Sequence, residues 1–221
     1  MAICQLAKVC STKNDLLHIA EELFVKNGYT KTSIEDILKR AKISKGGFYH
    51  HFESKGDVLH ALIDREIHLV TQEVEKIVRN NQLSALEKME QYSLRAWALL
   101  KPKGKLFLEI FHQAKDPFIN EEIFNELRSH ILPLLVKIVE QGIREGTMTV
   151  KYPYETVDSL MMIREGLVRV MPEIHQNQQK MLRYFMADKE IVCRTLGIKG
   201  DFISKQLESI LSAHLKLNKV K

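Results

Sequence analysis

Apolar residues recur at intervals of three and four positions along almost the whole chain, which is the spacing of one face of an α-helix. The first such stripe covers residues 16–24 and is followed by Asn27-Gly28, a typical helix stop. A second, shorter stripe covers residues 34–41, and a much longer one covers residues 58–77. Strand-type alternation of apolar and polar residues is not sustained anywhere in the sequence. The pattern predicts an all-α protein.

Polar residues mark where the first helices start. Thr32 and Ser33 both offer a side chain that can cap the second helix, and an acidic residue three positions after each completes a capping-box pattern. Ser44 caps a short third helix, and Ser54 opens a fourth over about residues 55–80. At 1.5 Å per residue that fourth helix would be roughly 39 Å long. A helix of this length is too long for a compact unit of about 55 residues, so we expect it to link two separate parts of the protein.

Helix-breaking residues divide the remainder of the chain. Further helices are expected over about residues 84–100, 104–114, 120–145, 154–171, 176–197 and 201–217. Pro133 is expected to kink or split one of them because proline removes an internal hydrogen bond. Met171-Pro172 is expected to end another.

The excess positive charge is confined to one short stretch. The net charge is +5, and from Lys39 to Lys55 there are five cations and one anion, which leaves 28 cations and 27 anions elsewhere. A stretch of this kind suits the phosphate backbone of a nucleic acid, although a solvated basic face has the same composition.

The second and third helices are separated by Lys42-Ile43-Ser44, which is the spacing of a helix-turn-helix. In that arrangement the third helix enters the major groove of DNA. Phe48 and Phe52 hold its inner face on the core, and the opposite face presents Lys45, Gly46, Tyr49 and His50. Gly46-Gly47 near the start of a helix costs roughly 1 kcal/mol per glycine relative to alanine. This cost suggests that the backbone there approaches a partner closely.

The segment GYTKTSIEDILKRAKISKGGFYHHFESKGDVL resembles the N-terminal DNA-binding domain of TetR-family transcriptional regulators, over about residues 12–62. The resemblance implies phosphate contacts at Thr32 and Ser33, and a recognition helix that begins with Ser44, Lys45 and Gly46. It also implies phosphate contacts from Tyr49, His51 and Lys55 and base contacts from His50. Gly47 departs from the Ser, Thr or Ala that is commoner at its position.

The resemblance also implies a function and a division of the chain. Residues 1–54 would be the DNA-binding domain, and residues 55–221 a helical domain that binds an effector and dimerises. The protein is then expected to be a homodimeric regulator, a repressor of a pseudo-palindromic operator in double-stranded DNA. A small hydrophobic effector would release it by biasing a pivot of the 55–80 helix between two states.

Candidates for the effector site and the dimer interface come from apolar residues of the second domain. The effector set consists of soft or aromatic side chains with one polar neighbour, and ordinary core is the alternative for each: Trp97, Phe107, Phe111, His112, Phe118, Met161 and Met162. The dimer set consists of apolar stripes on two late helices, one of which also carries Gly166: Val157, Leu160, Leu167, Val168, Leu207, Ile210, Leu211 and Leu215. Arg164 and Glu165 are expected to form a solvated pair, although a charge there could anchor an effector.

Other classes of protein fit the sequence less well. No HExxH, CxxC, P-loop or GxGxxG motif is present, so neither an enzyme nor a metal or cofactor site is expected. Three cysteines without paired spacing, no apolar run long enough to span a membrane and no signal-peptide pattern favour a soluble cytoplasmic protein. The alternative that remains is an all-α ligand-binding or interaction module whose basic face does not read DNA sequence.

Overall fold

The computed structural model describes residues 13–99, 117–174 and 177–198, and within these ranges it contains eight α-helices and no strand. The helices are α1 (Lys13–Asn27), α2 (Ile34–Ala41), α3 (Lys45–Tyr49), α4 (Lys55–Arg79), α5 (Ala85–Leu99), α6 (Pro117–Arg144), α7 (Pro153–Ile174) and α8 (Gln178–Thr195). The all-α prediction is confirmed. None of the described helices is both long and apolar enough to cross a membrane.

The described residues fall into two compact units that divide within α4, between His68 and Leu69, and again within α6, between Asn120 and Glu121. The division expected from the sequence, at residue 54, assigned all of α4 to the second unit. The boundary lies later because the first half of α4 belongs to the core beside it: Val58, Leu59 and Leu62 are completely buried. Burial of each such side chain contributes about 1.5–3 kcal/mol, so this half of the helix cannot be separated from its unit.

In the first unit, short turns join three helices. Gly28 follows α1 with φ +88° and donates its N–H to the carbonyl of Phe24 at 2.9 Å, which ends the helix in the left-handed conformation that favours glycine. Ser33 caps α2 and Ser44 caps α3, as the sequence predicts. The aromatic rings of Phe24 and Tyr29 meet edge to face at 5.2 Å.

The second unit has one large apolar core, to which the second half of α4 and helices α5 to α8 contribute. Pro133 lies within α6, which continues on both sides of it, so the expected split does not occur. Proline costs about 3 kcal/mol in a helix. The four apolar residues around it, Ile131, Leu132, Leu134 and Leu135, are buried and together outweigh that cost.

The ends of helices α5 to α8 differ from the expected ones by about one to three residues. Helix α7 runs to Ile174, past Pro172, and so does not end at Met171. The helices expected over residues 104–114 and 201–217 lie outside the described residues.

Candidate nucleic-acid interface and ligand cleft

The turn between α2 and α3 is built from local hydrogen bonds. The Ser33 hydroxyl accepts from the Asp36 N–H at 3.1 Å, and the Asp36 carboxylate accepts from the Ser33 N–H at 2.9 Å. The Ser33 hydroxyl also donates to the Asp36 carboxylate at 2.6 Å, and the two hydrogen bonds that this carboxylate accepts, from the Ser33 hydroxyl and from the Ser33 N–H, lower the pKa of Asp36. Lys42 ends α2 at φ 57°, a left-handed conformation that is rare outside glycine, and donates its N–H to Leu38. Ser44 then accepts from the Gly47 N–H at 3.2 Å and starts α3.

Helix α3 has one buried face and one exposed face. Phe48 is completely buried, whereas 53% of the Tyr49 side-chain surface is exposed. Lys45, Gly46 and His50 are also exposed, and His51 is half-buried with its ring 4.9 Å from that of His50. The structure therefore places the predicted DNA-facing residues of α3 together on its outer surface. Phe52 is buried as predicted, although it lies after the end of the helix.

The two glycines of α3 are not required by the fold around them. A Cβ atom built on Gly46 would lie 3.8 Å from the Ser44 hydroxyl, and one built on Gly47 would lie 3.6 Å from Ile43 and Ser44. Both distances are ordinary van der Waals contacts, and neither glycine has a positive φ. Their helix-destabilising cost is therefore not explained by packing inside the protein.

Two of the predicted phosphate contacts, Thr32 and Lys55, donate hydrogen bonds to backbone carbonyls within the protein. Thr32 is 1% exposed and its hydroxyl donates to the carbonyl of Gly28 at 2.8 Å. The Lys55 ammonium donates to the carbonyls of Tyr29 and Thr32, each at 2.8 Å, and lies 4.3 Å from the centre of the Tyr29 ring. Partial burial lowers the pKa of Lys55. Both side chains hold the α1–α2 turn in place, and their phosphate contacts stay a prediction.

Two of the remaining cations in the basic stretch form exposed ion pairs. Arg40 contacts Glu22 at 3.2 Å and Lys45 contacts Glu35 at 3.7 Å. Exposed pairs of this kind contribute about 0–1 kcal/mol, so phosphate can replace the carboxylate at little cost. Lys39 and Lys42 are exposed as well.

In the second unit, a cleft lies among helices α5 to α8. Its wall is almost entirely apolar among the described residues, and Tyr92 and Arg164 are the exceptions. The lining residues are Met89, Tyr92, Leu135, Val139, Val157, Leu160, Met161, Arg164, Val192 and Leu196. The cavity volume is about 20 Å³, room for about one water molecule.

Arg164 forms a buried ion pair at this cleft instead of the expected solvated pair with Glu165. Its Nε and Nη2 atoms donate to the two Asp188 carboxylate oxygens at 3.3 and 3.0 Å, across α7 and α8. The guanidinium also hydrogen-bonds to Tyr92 and lies 5.4 Å from the centre of its ring. Burial would lower the pKa of Arg164, but Asp188 and Tyr92 outweigh it and raise the pKa. The guanidinium is therefore charged at every accessible pH.

The sequence carries a signal for this ion pair. Arg164 falls in the apolar stripe of α7, three and four positions after Met161 and Leu160, and Asp188 falls between Phe185 and Val192 in the stripe of α8. Two opposite charges that each interrupt an apolar stripe predict a buried pair. The buried lysine Lys88, which donates to the carbonyl of Val78 at 2.7 Å and to Gln141 at 2.8 Å, interrupts α5 in the same way.

The predicted effector residues separate into three groups. Met161 lines the cleft, whereas Met162 is 49% exposed and lies off it, because consecutive helical residues point about 100° apart. Nothing is described of the side chains of Trp97 and Phe118. Phe107, Phe111 and His112 lie outside the described residues.

The predicted dimer residues of α7 face inward. Val157 and Leu160 are buried in the core of their own unit, and Leu167 packs against that core. Val168 is half-buried. Exposed apolar residues in the second half of α7 include Met162, Ile163 and Val170, with Gly166 between them. Leu207, Ile210, Leu211 and Leu215 lie outside the described residues.

The first unit is a helix-turn-helix domain whose recognition helix is α3, and the second is an all-α body with a cleft. Residues 16–62 match the family model for the N-terminal domain of bacterial regulatory proteins of the tetR family. These residues are therefore a DNA-binding domain of the TetR family of transcriptional regulators.

Two relatives and one solved structure agree with this assignment. The chain is 30% identical over 132 residues to an uncharacterized helix-turn-helix transcriptional regulator in the lacX 3′ region of Lactococcus lactis subsp. lactis. This match covers 55% of this chain and 66% of that protein, just under two thirds of its length. It is 22% identical over 167 residues to the transcriptional repressor BepR of Brucella suis biovar 1, over 72% of this chain and 79% of BepR. SmeT, the repressor of a Stenotrophomonas maltophilia multidrug efflux pump, shares the fold, with a TM-score of 0.65 and 18% identity over 87% of this chain and 93% of SmeT.

Proposed function

We propose that this protein is an effector-responsive repressor that binds a specific double-stranded DNA operator through α3. The observation that carries the proposal is the outer face of α3, where exposed Tyr49 and His50 adjoin two glycines that the fold does not need. A face of this kind combines side chains that hydrogen-bond bases and phosphates with a backbone that can approach the groove closely. The family assignment supports the same function.

The exposed residues divide into base readers and phosphate contacts. His50 projects from the exposed end of α3 and is assigned to a base edge. Lys45 and Tyr49 are assigned to phosphates, as are Ser33 and the half-buried His51. Ser44 contributes as the cap that fixes the start of α3. The N-terminal backbone of α3, at Gly46 and Gly47, is assigned to close approach to the groove. Thr32 and Lys55 act from beneath this surface by holding the turn before α2.

Dimerisation is proposed to use the exposed apolar face of α7 together with that of α8. Met162, Gly166 and Val170 follow one another at intervals of four on α7, and Tyr184 and Ile191 lie seven apart on α8. Burial of such residues against a second copy would produce a two-fold interface. A two-fold dimer carries two recognition helices and so requires half-sites about one helical turn apart, roughly 34–36 Å.

Effector control is proposed to act through the second unit. SmeT has been solved in complex with triclosan, and FadR of Thermus thermophilus in complex with lauroyl-CoA. By analogy with these proteins, a small molecule bound in the second unit would favour one of two positions of α4, which runs unbroken from Lys55 to Arg79. Release from the operator follows when the two recognition helices no longer match the two half-sites.

The test is a binding titration on operators selected from a random duplex pool. The selected site is expected to be pseudo-palindromic, and His50→Ala is expected to lose about 1–3 kcal/mol of discrimination at one base pair of each half-site. His130→Ala is the matched control, because His130 is also exposed but lies in α6. Failure to enrich any sequence, with purely salt-dependent binding of all duplexes, would contradict the proposal and favour a basic module that does not read DNA.

A further inference from the structure

A buried lysine lies at the C-terminal end of α4, inside the second unit. Lys88, on α5, is 3% exposed, and its ammonium donates to the carbonyl of Val78 at 2.7 Å and to the Oε1 atom of Gln141 at 2.8 Å. Both of these acceptors are neutral. Burial of a charge without a charged partner is costly, and lysine is almost never fully buried in this way. The presence of Lys88 is therefore not explained by packing alone.

Two side chains at the end of α6 extend these contacts to the turn between α4 and α5. Gln141 donates from Nε2 to the carbonyl of Leu83 at 3.0 Å and to the carboxylate of Glu145 at 2.6 Å. The other carboxylate oxygen of Glu145 accepts from the N–H of Ala85, the first residue of α5, at 2.9 Å. We call Lys88, Gln141 and Glu145 the Lys88 network. It joins residues that lie 53 to 60 positions apart in the chain.

The Lys88 network satisfies groups that the ends of two helices leave without a partner. The last four carbonyls of a helix have no N–H partner within it, and one of these in α4 is the carbonyl of Val78. The first four N–H groups are left in the same way, and one of these in α5 is that of Ala85. The positive Lys88 lies at the negative end of the α4 dipole, and the negative Glu145 lies at the positive end of the α5 dipole. Charge and hydrogen bonding therefore both fix the end of α4 to α6.

The direction of α4 is sensitive to what holds its end. The helix is unbroken from Lys55 to Arg79, which makes it about 37 Å long at 1.5 Å per residue. A tilt of about 5° at one end of a rod of that length moves the other end by about 3 Å. Groups that restrict the C-terminal end of α4 in the second unit therefore also restrict its N-terminal end, which follows the recognition helix α3 by a short turn.

We infer that the Lys88 network positions the recognition helices for DNA binding: by fixing the C-terminal end of α4, it holds the two copies of α3 in a dimer at the separation that an operator requires. The inference rests on the proposed function, since it takes the protein as a dimer that binds two half-sites. Loss of the network leaves each recognition helix intact, and with it the contacts to one half-site. It lowers the fraction of dimers that match both half-sites, and the apparent affinity for the full operator falls by the same factor.

Amide exchange tests whether the network fixes the turn. Hydrogen exchange of the Ala85 N–H is followed by NMR in the full-length protein, and Glu145→Ala is expected to accelerate it by about tenfold, because the acceptor is removed. Glu145→Gln keeps an acceptor oxygen and should restore exchange to within about threefold of the original rate. The matched control is Glu140→Ala, an exposed carboxylate on the same helix. Equal Ala85 exchange in Glu145→Ala and the unmodified protein would overturn the inference.

Titrations on two duplexes separate positioning from a merely structural role. The full-length protein, Glu145→Ala and Lys88→Met are titrated on the full operator and on a duplex with one half-site, at the same salt concentration. Both variants should lose about three- to tenfold in operator affinity and less than about twofold in half-site affinity. Lys137→Met, which removes an exposed cation of α6, should change neither affinity, and Glu145→Gln should restore the operator affinity.

The outcomes distinguish this inference from the proposed function. Glu145 is exposed, so Glu145→Ala keeps the test independent of any loss of stability in Lys88→Met. An equal loss of operator and half-site affinity in Glu145→Ala would assign the network a structural role only, and would overturn the inference. An unchanged ratio of the two affinities on a selected operator would overturn the inference alone. Failure to select any operator would contradict the proposed function and this inference together.

Discussion

The two units of this protein differ in how exposed their candidate functional side chains are. In the first unit the candidate functional side chains, such as Tyr49 and His50, lie at the surface, and short-range bonds such as Ser33 to Asp36 hold the scaffold. In the second unit the candidate group, Arg164, is mostly buried, with 19% of its side chain exposed, and it is held by Asp188 across two helices. A surface that reads DNA must be exposed and rigid before its partner arrives, whereas a ligand site gains strength from the removal of water.

One cation in each unit was expected at the surface and lies inward, and the partners differ. Lys55 binds two neutral carbonyl groups, whereas Arg164 binds a carboxylate. Partial burial next to neutral groups lowers the pKa of Lys55, while Asp188 keeps that of Arg164 raised. Lys55 therefore stabilises a turn, whereas Arg164 belongs to an ion pair whose disruption is expected to destabilise the protein strongly.

The largest effect is expected from breaking the pair in the second unit. Asp188→Ala leaves the Arg164 charge buried without its partner and should lower the free energy of unfolding by about 3–5 kcal/mol. Glu190→Ala, two residues away, removes an exposed partner of Arg194 and should cost at most about 1 kcal/mol. Urea unfolding of both variants measures the difference. Equal costs would show that the Arg164 pair is as solvated as the surface one.

A smaller effect is expected from the inward lysine of the first unit. Lys55→Met removes two charge-assisted hydrogen bonds and should lower stability by about 1–3 kcal/mol without changing the salt dependence of DNA binding. Lys45→Met should leave stability unchanged but lower the salt slope by about one per subunit, because Lys45 is exposed next to the proposed groove. If Lys55→Met instead lowered the salt slope at unchanged stability, its ammonium would be a phosphate contact after all.

The glycine pair of α3 should separate folding from DNA binding. Gly46→Ala and Gly47→Ala each meet no clash inside the protein and should raise stability by about 0.5–1 kcal/mol. Both should weaken operator binding, by about tenfold or more, if the backbone approaches DNA at these positions. Thermal unfolding and operator titration of the same samples provide the two readouts. Unchanged operator affinity in both variants would assign the glycines no role at the interface.

The smallest effect concerns the capping box of the first unit. The contacts with Ser33 lower the pKa of Asp36, so the stability that this carboxylate contributes is present above its ordinary pKa of 3.8 and is lost as the pH falls through the lowered value. Asp36→Asn should therefore reduce stability at neutral pH and flatten the acid limb of the stability profile. Asp64→Asn, an exposed carboxylate on α4, is the control. If the stability of Asp36→Asn fell with decreasing pH as steeply as that of the unmodified protein, the capping box would contribute nothing to stability.

Predictions from the sequence pattern were correct where they depended on interactions between residues close together in the chain. The starts of α2 and α3, the outward face of α3 and the length of α4 were predicted correctly, because caps and apolar stripes act within one or two helical turns. The assignment of Met162 to the effector site and of Val157 to the dimer interface stays a prediction, and the structure shows Met162 exposed and Val157 buried in its own unit. Both depended on which face of α7 meets other helices, and the stripe alone does not say whether it meets its own core or a second copy.

The sequence by itself determined the all-α class, the helix-turn-helix and the exposed residues of its recognition helix. Only the tertiary structure decided that Lys55 turns inward, that α6 continues through Pro133 and that Arg164 pairs with Asp188. The reason is the same in each case. These outcomes depend on groups that lie far apart in the chain, 24 residues for Arg164 and Asp188 and 26 for Lys55 and Tyr29, and meet only when helices pack. Local periodicity fixes which face of a helix is apolar, and packing fixes what that face encounters.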